Sequence, residues 1–202
     1  MTPLDEIGRD LDWRESELAL LRIMLSNDSV TDRQKLVLFR AGWALLYAHF
    51  EGFCKFCLTV YYDSLQKLLL KNRQLSIATQ AFSLNNELKL IRNLPAVDLI
   101  TNILKFQDEV MEKCVSFPDV DTESNLWPDT LRQLLDDADI SIESLEAHNR
   151  TLATLVSRRN KIAHGEKDMI TEYSYYIRFE EAAKAVMYDL AFAVDAKIAV
   201  HK

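Results

Sequence analysis

Arg159, Asn160 and His164 stand within eight residues of one another in "SRRNKIAHGE", residues 157–166. Together they can carry out acid–base chemistry on a phosphodiester. An imidazole titrates near neutrality and can pass a proton. A guanidinium offers a fixed fork of donors to a phosphate or to a pentavalent phosphorane. Asn160 can orient either partner. Such a set needs no metal and no organic cofactor if RNA supplies its own 2′-hydroxyl as nucleophile. Arg158 and Lys161, beside the set, are expected as RNA-phosphate contacts. Arg159 and His164 lie five residues apart, so on a regular helix they are about 140° apart around the axis. The reach of arginine and a distorted last turn would have to bring them to one phosphate.

The same letters carry a purely structural reading. Cations favour the last turn of a helix, and glycine is preferred just past the end. "RRNKIAHG" is therefore also a helix stop. The local field leaves both readings open. Carbonyls at the helix end favour a charged His164, while Arg159 favours a neutral one.

The elements that must position these residues read as helices. The 202-residue chain has only four glycines and four prolines, roughly half of ordinary usage. Folds rich in turns, such as β-sandwiches and doubly wound α/β sheets, are disfavoured. "TPLDE" opens a first helix, with Thr2 as N-cap and Pro3 in the first turn. A second, long helix is predicted from about Asp32 to Lys71; its centre, "LFRAGWALLYAHFEGFCKFCLTVYY", is apolar on nearly every side and belongs at the middle of a bundle. Segments 76–93 and 96–114 follow, then an ordered loop at 115–128 and short helical runs. The motif helix is predicted from Ser144 to His164, a turn from Gly165 to Ile170, and a last helix capped by Thr171. The expectation is an all-α helical bundle with a long central helix and additional short helices, one domain over residues 1–202.

Charge limits the partners. The chain carries a net charge of −7, a poor match for broad nucleic-acid binding. Residues 150–167 nevertheless hold Arg150, Arg158, Arg159, Lys161 and Lys167 against Glu166, whereas residues 119–146 hold nine acids against Arg132. A small basic site in an acidic body suits a brief, local phosphate contact. No run of 18 uncharged apolar residues predicts a membrane span, and "MTPLDEIGRD" is not a secretory leader. Three cysteines without framework spacing suit a reducing cytoplasm.

Other polar residues carry two readings each. Glu51 either pairs with Lys55 one turn on or reaches the motif helix and holds Arg159 or His164. His49 reads as a core histidine. Cys54 and Cys57 form C-x-x-C, but only Cys114 remains as a third thiol, so buried thiols are expected rather than a zinc site. "DVDTESN", 119–125, lacks the glycine and terminal glutamate of a calcium loop and reads as a capping turn. Tyr173, Tyr175 and Tyr176 read as packing residues, one of which can stack on a base.

Three stretches in order, "LLYAHFEGF" (45–53), "DTESNL" (121–126) and "RRNKIAHGE" (158–166), resemble the HEPN superfamily of ribonucleases, in a prokaryotic branch found in toxin–antitoxin and phage-defence loci. The motif match is Arg159, Asn160 and His164. The resemblance implies a helical bundle and a homodimer whose motifs face each other across a two-fold axis. It also implies metal-independent endoribonuclease activity leaving 2′,3′-cyclic phosphate and 5′-hydroxyl ends, with an antitoxin or defence protein as partner. Some HEPN toxins carry a tyrosine two residues after the histidine that an antitoxin modifies. Glu166 stands there in this chain, which argues against silencing by that route. The alternative is a non-catalytic HEPN-like dimer that binds RNA, a nucleotide or a partner protein.

Overall fold

The computed structural model describes residues 2–27, 29–166 and 170–201. Among them are eight α-helices and no strand; the one β-type pairing is an isolated bridge between Lys71 and Cys114. The helices are α1 (Pro3–Leu25), α2 (Asp32–Lys67), α3 (Ile77–Ser83), α4 (Asn85–Arg92), α5 (Ala96–Lys105), α6 (Pro128–Asp137), α7 (Glu143–Ala163) and α8 (Tyr173–Ala199). This is the expected all-α helical bundle, with a long central helix and additional short helices.

Both long N-terminal helices begin at capping boxes. Thr2 accepts from the Asp5 N–H while the Asp5 side chain accepts from the Thr2 N–H; Thr31 and Gln34 repeat the arrangement. Each box satisfies two backbone donors that the first turn leaves free. Helix α2 stops four residues before the expected Lys71, because Leu68 is the C-cap and Leu69 turns to φ +53°. Helix α2 is the axis of the bundle, packed on α1, α7 and α8, with α7 also against α8. Phe39, Trp43, Leu46, Tyr47, Phe50, Phe53, Leu58, Tyr61 and Leu65 are buried along its length. Cys54 and Cys57 lie in the same core as free thiols, and burial pushes both thiol pKa values up. His49 is also buried, edge-on to Trp13; Glu17 approaches its Nε2 to 2.9 Å without hydrogen-bond alignment. Burial outweighs Glu17 and lowers the imidazole pKa.

The middle of the chain differs from its expected form. Residues 76–93 make two short helices, because Leu84 leaves the helical region between Ser83 and Asn85. Segment 96–114 stays α-helical only to Lys105 and continues as a π-turn over Phe106–Val110. Neither α4 nor α5 buries a residue. Thr171 does not cap the last helix: Glu172 is the N-cap residue, its carbonyl accepting from Tyr176 N–H, and no side chain caps the helix. Lys167, counted in the basic run, and residues 168 and 169 of the expected turn lie outside the described residues.

One core contact is costly. Glu180 on α8 is almost fully buried; Oε1 lies 3.4 Å from Arg22 Nε, while Oε2 has no hydrogen-bond partner among the described residues. Burial raises its pKa against the opposing pull of Arg22 and Lys184. A carboxyl held above its unfolded value stabilises the fold below about pH 4.5 and loses that contribution as pH rises through the folded value. Glu180→Gln removes the buried charge, and Arg22 is exposed enough to turn to water. The variant should melt a few degrees higher than wild type at pH 7.5, with the gain vanishing near pH 4.5. A thermal melt series across that range reads this, and a variant less stable at pH 7.5 would show that the Arg22 pair outweighs burial.

Candidate active site

Helix α7 carries Arg159 and Asn160 close to its C-terminal end, and His164 is its C-cap. The stop is a Schellman arrangement: Gly165 N–H donates to the Ile162 carbonyl at 3.1 Å and Glu166 N–H to the Lys161 carbonyl at 2.9 Å. Gly165 adopts φ +78°, the left-handed conformation that side chains disfavour. Arg40 of α2 completes the cap. Its Nη2 donates to the Ile162 carbonyl at 3.4 Å and its Nη1 to the Glu166 carbonyl. The structural reading of "RRNKIAHG" is therefore realised in the backbone.

The side chains do something further. Arg159 turns away from the helix end onto α2 and the 121–126 loop. Its Nη1 donates to Asn125 Oδ1 at 2.8 Å and to Asn160 Oδ1 at 3.0 Å. Its Nη2 lies 3.6 Å from Glu51 Oε2, an ion pair rather than a hydrogen bond. The guanidinium carbon sits 4.3 Å from the centre of the Tyr47 ring, within cation–π range. Tyr47 in turn accepts from the Leu126 N–H through its hydroxyl at 2.7 Å. Burial, helped by nearby Glu51, pushes the Tyr47 pKa up to about 12, so the ring stays neutral at physiological pH. Tyr47 and Glu51 come from the first of the three quoted stretches, Asn125 and Leu126 from the second, Arg159 and Asn160 from the third. All three converge on one guanidinium.

The 121–126 loop is ordered by its own bonds. Glu123 N–H donates to Asp121 Oδ1 at 2.9 Å and Asn125 N–H to the Thr122 carbonyl at 3.1 Å. Glu123 and Ser124 both take left-handed φ, +54° and +67°. Non-glycine residues there cost about 1–3 kcal/mol each, and persist where surrounding contacts over-determine them. The Tyr47–Leu126 and Arg159–Asn125 bonds supply that determination. Close approach also shapes α2 beside the site: a side chain on Gly52 would meet Arg14 Nη1 at 3.0 Å, and that group donates to the His49 carbonyl at 3.4 Å.

The remaining basic residues separate. Arg158, expected to contact phosphate, is half-buried; Nη2 donates to the Tyr175 hydroxyl at 2.9 Å, and its guanidinium carbon lies 5.1 Å from the Trp43 ring centre and 5.0 Å from that of Tyr175. It binds α7 to α2 and α8. Lys161 is exposed, 3.7 Å from Glu166. The His164 side chain is exposed, and no hydrogen bond or ion pair joins it to Arg159 among the described residues. Tyr176 is buried against Phe39 and Trp43, while Tyr173 is partly exposed. Asn125, Tyr47 and Arg40 lie outside the residues singled out from sequence for chemistry. The only sequence signal for the first two is their place inside two of the three stretches.

The profile of the HEPN_MAE_28990-like HEPN family matches residues 3–201. The chain belongs to this HEPN family. No curated protein and no solved structure gives a significant match. HEPN membership associates the chain with RNA binding or nuclease activity in general terms. No helix among the described residues is long and apolar enough to cross a membrane.

Among the described residues nothing lies within 4 Å of a Cβ built on Gly165, so the expected cost of Gly165→Ala is backbone strain. The substitution should destabilise the HEPN bundle by about 1–2 kcal/mol. A lower urea midpoint at an unchanged slope reads this; an unchanged midpoint would mean that the α7 stop relaxes without cost.

Proposed function

We propose that this HEPN protein is a metal-independent endoribonuclease, a toxin or phage-defence effector, that cuts RNA into 2′,3′-cyclic phosphate and 5′-hydroxyl ends. The observation that carries the reading is the guanidinium of Arg159, held by side chains from three segments at the mouth of a helix end that also presents His164. The 2′-oxygen attacks the adjacent phosphorus, the new O–P bond forms, and the bond from phosphorus to the 5′-oxygen breaks. One proton leaves the 2′-hydroxyl and one reaches the departing 5′-oxygen. His164 performs proton transfer at one of these two oxygens. Arg159 faces the charge that develops on phosphorus; its Nη1 is fixed by the two asparagines, and Nε makes no hydrogen bond among the described residues. Asn160 orients the guanidinium. Glu51 supports it from α2, and Lys161 contacts a flanking phosphate. Arg158 contributes through packing of α7.

The chain acts as a homodimer in this reading, with the two motifs facing across a two-fold axis in the cytoplasm, under the control of an antitoxin or defence partner. Arg159 points toward α2 and His164 lies exposed at the cap, so the arginine of one protomer can serve the histidine of the other.

In-vitro RNA cleavage in excess EDTA tests the proposal. Wild type should cut and leave 5′-hydroxyl ends. His164→Ala and Arg159→Lys should each lose at least ~100-fold in rate with the helical fold retained by circular dichroism. Lysine keeps the charge and the helix-end benefit but cannot present the fork. A mixed dimer of Arg159→Ala and His164→Ala should recover cleavage that neither homodimer has. Products ending in 3′-hydroxyls, activity that depends on a divalent ion, or an active Arg159→Lys would contradict the mechanism. Tight RNA binding without turnover would favour the non-catalytic alternative.

A further inference from the structure

A recess lies along the same face of α2 as the Arg159 cluster. Lys55, Thr59, Tyr62, Asp63 and Gln66 form one wall of a cavity of about 430 Å³, and the 117–120 loop forms the other. That volume is in the range of small-molecule sites. Positions 51, 55, 59, 62 and 66 follow one another at helical spacing, so Glu51 of the Arg159 cluster heads the same stripe. The loop is shared as well: Phe117, Pro118 and Asp119 border the cavity, and the chain then reaches Asn125 and Leu126 on Arg159 and Tyr47. From Glu51 to Tyr62 the helix rises about 16 Å, the span of a few nucleotides of single strand.

The cavity combines an aromatic surface with hydrogen-bond acceptors at its rim. Phe117 is partly exposed and held by aromatic contacts: its ring centre is 4.6 Å from Tyr62 and 6.2 Å from Phe82, to which it is stacked. It is a backed, oriented stacking surface. Tyr62 is 3% exposed, and its hydroxyl is buried without a hydrogen-bond partner among the described residues, a deficit that native folds ordinarily meet with a partner or a ligand. Two exposed carboxylates, Asp63 and Asp119, stand at the rim. They repel phosphate but accept N–H groups. Lys55, toward the Glu51 end, is the one cation among the described residues that border the cavity.

We propose that this cavity is a base-recognition subsite for the RNA strand whose phosphate lies at Arg159, taking a guanine that stacks on Phe117 and donates from its Watson–Crick edge to Asp63 or Asp119. Guanine fits best because its adjacent N1–H and N2–H groups match the two oxygens of one carboxylate, whereas uracil offers a single donor between two acceptors that the acids would repel. Lys55 and Thr59 contact the backbone between the subsite and the cleavage site. The assignment rests on the RNA-cleavage reading for the direction of the strand.

Binding of uncleavable probes separates the subsite from catalysis. The probes are fully 2′-O-methylated UUGUU and UUUUU, which lack the nucleophile, measured by fluorescence anisotropy with the full chain. Wild type should bind UUGUU roughly tenfold more tightly than UUUUU. Phe117→Leu keeps the apolar packing and removes the aromatic face; it should lose most of that preference. Asp63→Asn combined with Asp119→Asn should also abolish it, while Arg159→Lys should retain it. Equal binding of the two probes by wild type, or an unchanged preference in both the Phe117 and the aspartate variants, would overturn the subsite. If the preference is present but wild type cuts no RNA, the nuclease reading falls and the subsite stands.

Discussion

A guanidinium has five donors in one plane, and its direction is fixed only when acceptors surround that plane. Arg159 meets this condition through Asn125 and Asn160 on Nη1, Glu51 beside Nη2 and the Tyr47 face beneath. The acceptors come from α2, a loop and α7, so the arginine cannot be oriented until the bundle has formed. Much of the surrounding structure serves that meeting. Helix α2 is long enough to bring Arg40 to the α7 stop, Trp43 to Arg158 and Glu51 to Arg159. Arg158, in its aromatic box with Trp43 and Tyr175, holds α7 at the distance where its neighbour reaches the loop.

Helix stop and candidate active site turn out to be compatible uses of one sequence. The backbone of residues 161–166 needs the glycine and the Schellman bonds to end α7. The side chains of Arg159 and Asn160 are free for other work because Arg40, and not Arg159, caps the last carbonyls. Ending the helix at His164 also frees its imidazole from the bundle. Among the described residues no hydrogen bond or ion pair joins Arg159 to His164 within one chain, and this is why the proposed site draws on a second copy.

Local signals were the readable part. Thr2 with Asp5, the apolar run of α2 and the glycine after His164 act within a few residues, and the structure uses each where the sequence places it. Contacts set by tertiary packing were harder. Arg158 reads as a surface cation until Trp43 and Tyr175, on other helices, close around it. Nothing near Asn125 indicates that two left-handed residues before it aim its amide at Arg159. Leu84 carries no breaker residue, yet the helix divides there. Thr171 has the right chemistry for a cap but the helix begins one residue too late to use it. Glu51 was legible only as a choice between a local and a distant partner, and the 3.6 Å approach to Arg159 comes from the packing of α2 on α7.

The central claim is that Asn125 acts through Arg159, holding its fork toward phosphate. A double-mutant cycle on RNA cleavage tests it most directly, with wild type, Asn125→Ala, Arg159→Lys and the double variant assayed under the same conditions. The account predicts that Asn125→Ala slows cleavage while Arg159→Lys with Asn125→Ala is no slower than Arg159→Lys alone. Rate losses that multiply in the double variant would show that the two residues act independently, and the account would be wrong.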